Sequence, residues 1–201
     1  MTSKKLHKFA NNEDQWYVEE SWADDALFDA VPLGAINGKA VYDPFCGMGT
    51  IPKAAQRAGY VSLGTDLADR GYGPGGVDFF KDVHTCPGVN IVFNPPYNRL
   101  SQAIDHALKV TDDDAIICAF TRLSFLASSK RYKSFTERWP LAAVLVCSKR
   151  VNCLPGANIL AGEKAGGGAI DYCWLVFMKS RVASSLPGIG FLIPKGDKHG
   201  D

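Results

Sequence analysis

The sequence predicts an α/β protein with a doubly wound, Rossmann-like sheet whose strands are mostly parallel. Two observations predict this fold. Short apolar segments alternate with helical segments of about ten to fifteen residues along most of the 201-residue chain, which is the pattern of a parallel sheet with crossover helices. Two of the apolar segments also run directly into Gly-rich or Pro-rich turns, at the strand ends where ligands bind in such sheets.

The predicted elements follow one another at regular spacing. Apolar runs predict strands at 39–43, 60–65, 89–93, 115–120, 141–147 and 172–178. The helices are predicted at 21–30, 52–59, 100–110 and 124–138. Ser21 is a favourable N-cap for the first helix. In the second helix, an early Pro52 and a final Gly59 follow the usual preference for Pro near the start and Gly at the end.

We expect a single folded domain at 16–180 between two tails. The polar segment 1–15 predicts one flexible tail, and the segment 181–201, rich in Gly, Lys and Asp, predicts another. The segment 152–170 contains five glycines. It is predicted to be either a mobile substrate loop or a disordered connection, and the sequence does not decide between them.

Composition points to a cytoplasmic protein. No apolar run approaches the roughly 18 residues that a membrane span needs, and the first residues lack the apolar segment of a secretory signal. The six cysteines form no C-x-x-C pair, so neither a zinc site nor a disulfide framework is indicated. We therefore predict reduced thiols, no membrane association and no metal.

The net charge of +1 conceals two opposed halves. In 11–82, twelve Asp and Glu against five Lys and Arg give −7, whereas seven Lys and Arg against one Glu in 121–150 give +6. Such an asymmetry is typical of a protein that binds a polyanion, although a solvated helix face would also produce it.

The first candidate site is the turn after the strand at 39–43. Its sequence is Asp43-Pro44-Phe45-Cys46-Gly47-Met48-Gly49-Thr50. Gly47 and Gly49 lack side chains where the strand turns into the next helix, so a ligand can approach the backbone N–H groups there. Asp66 ends the next strand, where a carboxylate can bind ribose hydroxyls. Asp43 would repel a pyrophosphate but suits a cationic ligand with an amino group.

The second candidate site is Asn94-Pro95-Pro96-Tyr97, after the strand at 89–93. The two prolines remove N–H donors and leave carbonyls free to accept hydrogen bonds. The side-chain oxygen of Asn94 and the carbonyl of Pro95 can bind the two N–H bonds of an aromatic amine and so direct its lone pair at an electrophile. Tyr97 can stack on the ring.

Both motifs resemble those of class I S-adenosylmethionine (SAM)-dependent methyltransferases that modify amino groups. The resemblance implies a seven-stranded mixed sheet with the last-but-one strand antiparallel, SAM as cofactor, and a catalytic motif at Asn94, Pro95, Pro96 and Tyr97. It also implies that Leu67 and the pair Asp78 and Phe79 contact the adenine of SAM. The implied cofactor residues are thus Asp43, Pro44, Phe45, Gly47, Gly49, Thr50, Asp66, Leu67, Asp78 and Phe79.

The family members that the chain resembles set the expected substrate. The chain is similar to small bacteriophage-type adenine methyltransferases in the region of their last two strands, which corresponds to 148–150, the glycine-containing segment 152–170 and the strand at 172–178. The resemblance therefore covers roughly 16–180. N6 of adenine in DNA is the leading substrate. RNA guanine-N2, protein glutamine-N5 and a non-catalytic nucleic-acid-binding module are the alternatives.

Five basic residues are the candidate phosphate or base contacts. Arg122, Lys149 and Arg150 are favoured because they follow predicted strands, whereas Lys130 and Arg131 lie on the predicted helix at 124–138. A separate recognition domain, which the DNA-modifying relatives normally carry, has little room in this chain. We therefore expect sequence recognition to come from the 152–170 loop or a partner subunit, or to be nearly absent. The expected protein partner is a recognition subunit or a second copy of the chain in a homodimer.

The 16–20 segment, Trp16-Tyr17-Val18-Glu19-Glu20, is weakly similar to the segment that packs over the methionine end of SAM in these enzymes. For Trp16 we predict a packing role.

Overall fold

The computed structural model describes residues 16–33, 37–163, 168–180 and 187–196. The strands are β1 (Tyr17–Val18), β2 (Ala40–Asp43), β3 (Ser62–Gly64), β4 (Val89–Phe93), β5 (Ile116–Arg122), β6 (Leu141–Cys147), β7 (Leu154–Pro155), β8 (Tyr172–Met178) and β9 (Gly188–Leu192). The helices are α1 (Ser21–Ala30), α2 (Thr50–Arg57), α3 (Phe79–Asp82), α4 (Leu100–Val110) and α5 (Gly156–Leu160).

Seven strands form one mixed sheet in the order β3-β2-β4-β5-β8-β6-β9. All neighbouring pairs are parallel except those of β8, which runs antiparallel to both β5 and β6. The predicted seven-stranded mixed sheet with one antiparallel strand is therefore confirmed. β1 and β7 form a separate antiparallel pair.

The carboxyl-terminal segment corrects the prediction of a tail. Residues 188–192 of the expected tail form β9, which pairs in parallel with β6 along Ala143–Cys147. Leu192 is buried and anchors the strand to the core. Because β9 lies outside β6, the antiparallel β8 is third from that edge of the sheet, not last but one as expected. The other tail, 1–15, lies outside the described residues.

Helices cover both faces of the sheet because their apolar residues recur at helical spacing. On one face, α1 and α2 bury Ala23, Leu27 and Ile51 against Trp174 of β8. On the other face, α4 buries Leu100, Ala103, Ile104 and Ala107, which belong to the core cluster with Phe93 and Phe177. The central strands read as nearly continuous apolar runs because both of their faces are buried.

The helix predicted at 124–138 does not form. The chain instead makes short 3₁₀ turns at Leu123–Phe125 and Ser129–Arg131 and a π-helical turn at Ser134–Arg138. Ser128 has extended backbone angles between these turns, which interrupts the helix. Phe125 and Phe135 pack against Trp139 over the sheet, and this packing replaces the expected amphipathic helix face.

The structure also bears on the predicted N-cap of the first helix and on the cysteines. The N-cap of α1 is Glu20, without a side-chain capping hydrogen bond, so Ser21 is not the cap. All six cysteines are free thiols, and every one except Cys153 is buried. No helix in the described ranges combines the length and the apolar composition needed to cross a bilayer.

Candidate active site

The carboxyl ends of the parallel strands β3, β2, β4 and β5 meet at one edge of the sheet. The glycine turn follows β2, Asp66 follows β3, and the Asn94–Tyr97 motif follows β4. This edge therefore brings the two predicted motifs together, as the strand-end rule for α/β sheets requires.

Side-chain carboxylates shape the glycine turn. The buried Asp43 accepts a hydrogen bond from the Phe45 N–H at 2.9 Å, and Asp66 accepts one from the Gly47 N–H at 2.9 Å. Gly49 has a φ of +80° immediately before α2, and a Cβ on it would lie 2.3 Å from the Tyr72 ring. The turn consequently requires glycine for its backbone angles and for the close approach of Tyr72.

Asp66 is the centre of a polar and aromatic cluster. Besides Gly47, its carboxylate accepts hydrogen bonds from the Ala68 N–H at 3.0 Å and from Arg70 Nε at 3.1 Å. The Arg70 guanidinium carbon lies 4.3 Å from the centre of a Trp16 ring. Trp16 Nε1 is so close to Gly47 that a Cβ there would lie 2.6 Å from it. Trp16 and Arg70 therefore cover the turn.

A cleft opens beside this cluster. Its empty space, counted together with the part open to solvent, is about 540 Å³. Six of the predicted cofactor residues line it: Pro44, Phe45, Asp66, Leu67, Asp78 and Phe79. Asn94 and Pro96 of the second motif line the same cleft. A smaller neighbouring cleft is lined by Asp43, Gly47 and Thr50, and again by Asn94.

The floor of the larger cleft is held by α3. Asp78 is the N-cap of this short helix and accepts a hydrogen bond from the Phe80 N–H. Burial alone would raise the pKa of Asp78, but this hydrogen bond and Lys81 hold the pKa below its ordinary value. Phe79 packs edge-on against Phe45. The pair Asp78 and Phe79 thus presents one carboxylate and one buried ring at the cleft.

The Asn94 side chain has a defined orientation. Its Nδ2 donates to the Tyr17 carbonyl at 3.1 Å and to the Glu19 carboxylate at 2.5 Å. Both partners are acceptors, so the amide nitrogen must face them. The Asn94 Oδ1 therefore points away from this anchor and makes no hydrogen bond to the part of the chain that the structure describes.

Tyr97 lies in an aromatic cluster at the same edge. Its ring stacks with that of Tyr17, with centroids 5.5 Å apart, and the Arg122 guanidinium carbon lies 4.7 Å from its centre. The Tyr97 hydroxyl is 3.4 Å from that of Tyr172. Burial raises the pKa of Tyr97 well above its ordinary value, so the phenol stays neutral.

Three carboxyl groups are buried beneath Asn94. Glu19, Asp24 and Asp43 are 6%, 0% and 1% exposed. Burial raises the pKa of each, and mutual repulsion among the carboxylates adds to the effect for Asp24 and Asp43. Hydrogen bonds, one of them from Asn94, partly offset the rise in the pKa of Glu19. These groups therefore favour their neutral forms more than exposed carboxylates do.

The structure separates the predicted nucleic-acid contacts into two groups. Arg122 ends β5 and reaches Tyr97. Lys149 and Arg150 follow β6, which runs parallel to β5, so they lie at the same edge; Arg150 is 3.3 Å from Asp171. Lys130 and Arg131 belong instead to the turn over the sheet face, where Arg131 donates to the Phe125 carbonyl and covers its ring.

Sequence reasoning missed several residues of this site. It assigned Trp16 to packing, yet Trp16 lines both clefts. It assigned no role to Glu19, Arg70 or Arg99, although Arg99 lines the larger cleft with its guanidinium 3.8 Å from the Phe80 ring. Only the weak resemblance of the 16–20 segment signalled Trp16 and Glu19. For the two arginines the sequence carries no signal, because pairing across loops depends on the fold.

The seven-stranded mixed sheet with helices on both faces is the Rossmann-like fold found in class I methyltransferases. No protein-family model matches the chain, and no curated protein matches its sequence. Solved structures do match it in fold, and three of them are described here.

The first is the proposed RNA methyltransferase PH1948 from Pyrococcus horikoshii, with a TM-score of 0.57 and 14% identity over 78% of this chain and 82% of that one. The second is a proposed class I SAM-dependent methyltransferase from Listeria monocytogenes, with a TM-score of 0.55 and 12% identity over 84% and 64%. The third is the M protein of the type I restriction enzyme EcoKI, with a TM-score of 0.54 and 12% identity over 81% and 45%. These likenesses establish the fold.

Proposed function

We propose that this protein is a SAM-dependent methyltransferase that modifies the exocyclic amino group of a nucleic acid base, with N6 of adenine in DNA as the favoured target. The observation that carries the proposal is the anchored amide of Asn94. Its nitrogen is bound by Tyr17 and Glu19, and its oxygen is left for a substrate, at the border between two clefts.

The residues of the two clefts fit SAM. Asp66 would bind the ribose hydroxyls, exchanging some of its contact with Arg70 for them, while Leu67, Asp78 and Phe79 would enclose the adenine. The smaller cleft, with Gly47, Thr50 and the carboxyl of Asp43, would take the methionine part. A positively charged amino group beside Asp43 would offset the burial of its carboxylate. When bound, SAM supplies an electrophilic methyl group on a sulfonium.

The protein's own residues would prepare the amine. An aromatic amine is a weak nucleophile because its lone pair is delocalised into the ring. Asn94 Oδ1 and the Pro95 carbonyl would each accept one N–H bond, which draws the nitrogen toward tetrahedral geometry. Positive charge develops on this nitrogen during attack, and one of its protons leaves for solvent afterwards. No strong base is needed before the methyl group is transferred.

The aromatic cluster supports a planar base as substrate. Because Tyr17 stacks on the Tyr97 ring and the Arg122 guanidinium lies over it, Tyr97 would stack on the base only after Arg122 moves off the ring to contact either the base or a phosphate. A base in a duplex must leave the stack to reach this edge, as it does for other enzymes that act on bases. Lys149 and Arg150 lie at the same edge and would bind phosphates. Lys130 and Arg131 have less support, because Arg131 donates to the Phe125 carbonyl and covers the Phe125 ring.

Sequence recognition would come from the segment 152–170 or from another chain. Within the glycine-rich segment 152–170 the chain forms β7 and α5. β7 pairs with β1, whose Tyr17 carbonyl contacts Asn94. This segment, a partner subunit or a second copy of the chain would read the target. A protein from Vibrio vulnificus that shares the fold is described as a modification subunit of a proposed type I restriction enzyme.

Label transfer separates the substrate classes. The protein is incubated with SAM carrying a tritiated methyl group, together with DNA, RNA or protein pools, and each pool is counted. We expect label in DNA. Label in RNA or in protein instead would replace the DNA assignment with the guanine-N2 or glutamine-N5 alternative. Retained SAM binding with no transfer to any pool would favour a non-catalytic binding module.

A further inference from the structure

We infer that Glu19 is a positioning residue that fixes the orientation of the Asn94 amide, so that its oxygen rather than its nitrogen faces the substrate amine. The inference rests on the proposed function. Glu19 is 6% exposed, and its Oε2 accepts a hydrogen bond of 2.5 Å from Asn94 Nδ2. It lies between β1 and α1, 75 residues before Asn94.

The orientation matters because the two ends of an amide have the same shape and opposite hydrogen-bonding character. A flipped Asn94 would direct N–H donors at a substrate amine that itself donates two N–H bonds. The flipped amide would also direct its oxygen at the Tyr17 carbonyl and the Glu19 carboxylate, where acceptor faces acceptor. Two acceptors on one side of the amide, the Tyr17 carbonyl and the Glu19 carboxyl, therefore select the productive orientation.

The surroundings of Glu19 hold it in place. The preceding β1 is fixed by its pairing with Leu154–Pro155 of β7. The next residue, Glu20, accepts hydrogen bonds from Trp22 Nε1 and from the Asn152 N–H. The segment 17–20 is thus tied on one side to the 152–155 segment and on the other to α1. Glu19 has little freedom to leave Asn94.

Glu19 differs from the neighbouring acids Asp24 and Asp43 because it accepts a hydrogen bond from Asn94. The pKa values of Asp24 and Asp43 are raised well above the ordinary range, chiefly by burial. The pKa of Glu19 is raised by burial, while the hydrogen bond from Asn94 lowers it. A charged acceptor makes a stronger hydrogen bond than a neutral one. The hydrogen bond from Asn94 therefore favours the charged form of Glu19, and that form in turn strengthens the hydrogen bond.

Two variants of Glu19 test the inference. Glu19→Gln keeps an oxygen that accepts from Asn94 Nδ2, whereas Glu19→Met has similar length and no acceptor. We expect Glu19→Met to lower kcat by about 10- to 100-fold, in the range expected for misplaced reacting groups. We expect Glu19→Gln to remain within about fivefold of wild type. Affinity for S-adenosylhomocysteine should change less than about threefold in both.

A control for loosening the segment is Glu20→Met, which removes the bonds of the adjacent carboxylate to Trp22 and Asn152 but leaves the Glu19–Asn94 contact, so kcat should fall less than in Glu19→Met. If kcat falls equally in Glu19→Met and Glu20→Met, the segment is merely structural and the inference is wrong. Equal losses in Glu19→Gln and Glu19→Met would also overturn it, since an acceptor would then not suffice. If Glu19→Met does not fold, Glu19→Asp keeps the charge but shortens the reach, and it should lower kcat in its place.

A spectroscopic measurement keeps this inference separate from the proposed activity. In ¹⁵N-labelled protein, the side-chain amide of Asn94 is assigned by its loss in Asn94→Ala. We expect both of its N–H signals to be sharp and shifted by hydrogen bonding in wild type and Glu19→Gln. In Glu19→Met they should broaden or shift. Unchanged amide signals in Glu19→Met would refute the inference even if the wild-type protein transfers no methyl group.

Discussion

Asn94 combines two properties that a methyl-accepting amine requires of its binding residue. Its carbonyl oxygen is left for a substrate N–H, and its nitrogen is held by Tyr17 and Glu19, which come from a segment far away in the chain. The sequence predicts the first property, because an N-P-P-Y turn after a buried strand places an amide at the sheet edge. It does not predict the second, because the anchor depends on β1 folding back over β4.

The first prediction concerns this amide. Asn94→Ala removes the oxygen that binds the amine, so we expect methyl transfer to fall at least 100-fold, while SAM affinity stays within a few-fold. Calorimetry and label transfer measure the two quantities. Asn37→Ala, which removes a side-chain amide that donates to the Asp114 carbonyl before β5, away from the carboxyl ends of the strands, is the matched control and should leave both unchanged. An equal loss of SAM affinity and transfer in Asn94→Ala would make Asn94 a cofactor-site or structural residue.

The second prediction concerns the buried carboxyl of Asp24. Its pKa is raised by burial and by neighbouring carboxylates, so the folded state binds a proton that the unfolded state has already lost above about pH 4. The free energy of unfolding must then decrease as pH rises toward this raised pKa. Asp24→Asn removes the effect, so the variant should be more stable than wild type near pH 8, with a difference that shrinks toward pH 4.

Urea unfolding from pH 4 to pH 8 measures this difference. Each kcal/mol should also appear as roughly 2–4 °C in the melting temperature of a chain of this size. Asp29→Asn, on the half-exposed end of α1 near Lys195, is the control for removing a charge from the same helix. Parallel pH profiles for wild type and Asp24→Asn would contradict the account of this cluster.

At the scale of elements, α2 has a glycine with a left-handed backbone at each end. Gly49 needs a left-handed backbone and leaves space for Tyr72, whereas Gly59, at the other end of α2, has a φ of +87° but nothing within 4 Å of a Cβ. Comparing substitutions at the two glycines therefore distinguishes the effect of backbone strain from the effect of steric crowding.

The third prediction uses this pair. Gly59→Ala should cost about 1 kcal/mol of unfolding free energy, the strain of a left-handed alanine, and should leave SAM affinity unchanged. Gly49→Ala should cost more and weaken SAM binding at least tenfold, because Tyr72 must move away from the turn. Denaturant unfolding and calorimetry measure both. Equal costs and equal SAM affinities in the two variants would show that Tyr72 does not constrain the turn.

The elements that the sequence predicts well are those whose signals are local. The strands at 89–93, 141–147 and 172–178 and the helix at 100–110 have clear apolar periodicity, and all of them form. The segment 124–138 fails because the packing of Phe125 and Phe135 on Trp139 overrides its helical pattern. β9 was missed because an edge strand of five residues with two glycines carries little strand signal by itself.

At the scale of the molecule, residues from the acidic half and the basic half of the chain meet at one edge of the sheet. The acidic half supplies Asp43, Asp66 and Asp78 to the clefts, and the basic half supplies Arg122 and Arg150 to the same sheet edge. A cationic cofactor and an anionic polymer could thus approach neighbouring parts of one edge. The sequence shows the asymmetry, but only the fold shows that Arg131 packs on the Phe125 ring.

The fourth prediction tests the basic edge. Arg150→Gln should weaken DNA binding and reduce the slope of log affinity against log salt by about one, as expected for one lost phosphate contact. Binding titrations at several salt concentrations measure the slope. Arg57→Gln, which breaks an exposed pair with Asp25 on the acidic half, is the control and should leave the slope unchanged. The same slope in Arg150→Gln as in wild type would remove Arg150 from the interface.

The central claim is that this edge transfers a methyl group to a base nitrogen, and nucleoside mass spectrometry tests it most directly. The protein is incubated with DNA and SAM carrying a trideuterated methyl group, and the DNA is then digested to nucleosides. We predict trideuterated N6-methyldeoxyadenosine with the wild-type protein and none with Asn94→Ala. If SAM binds but no labelled nucleoside forms in DNA, or in RNA treated in the same way, the claim is contradicted.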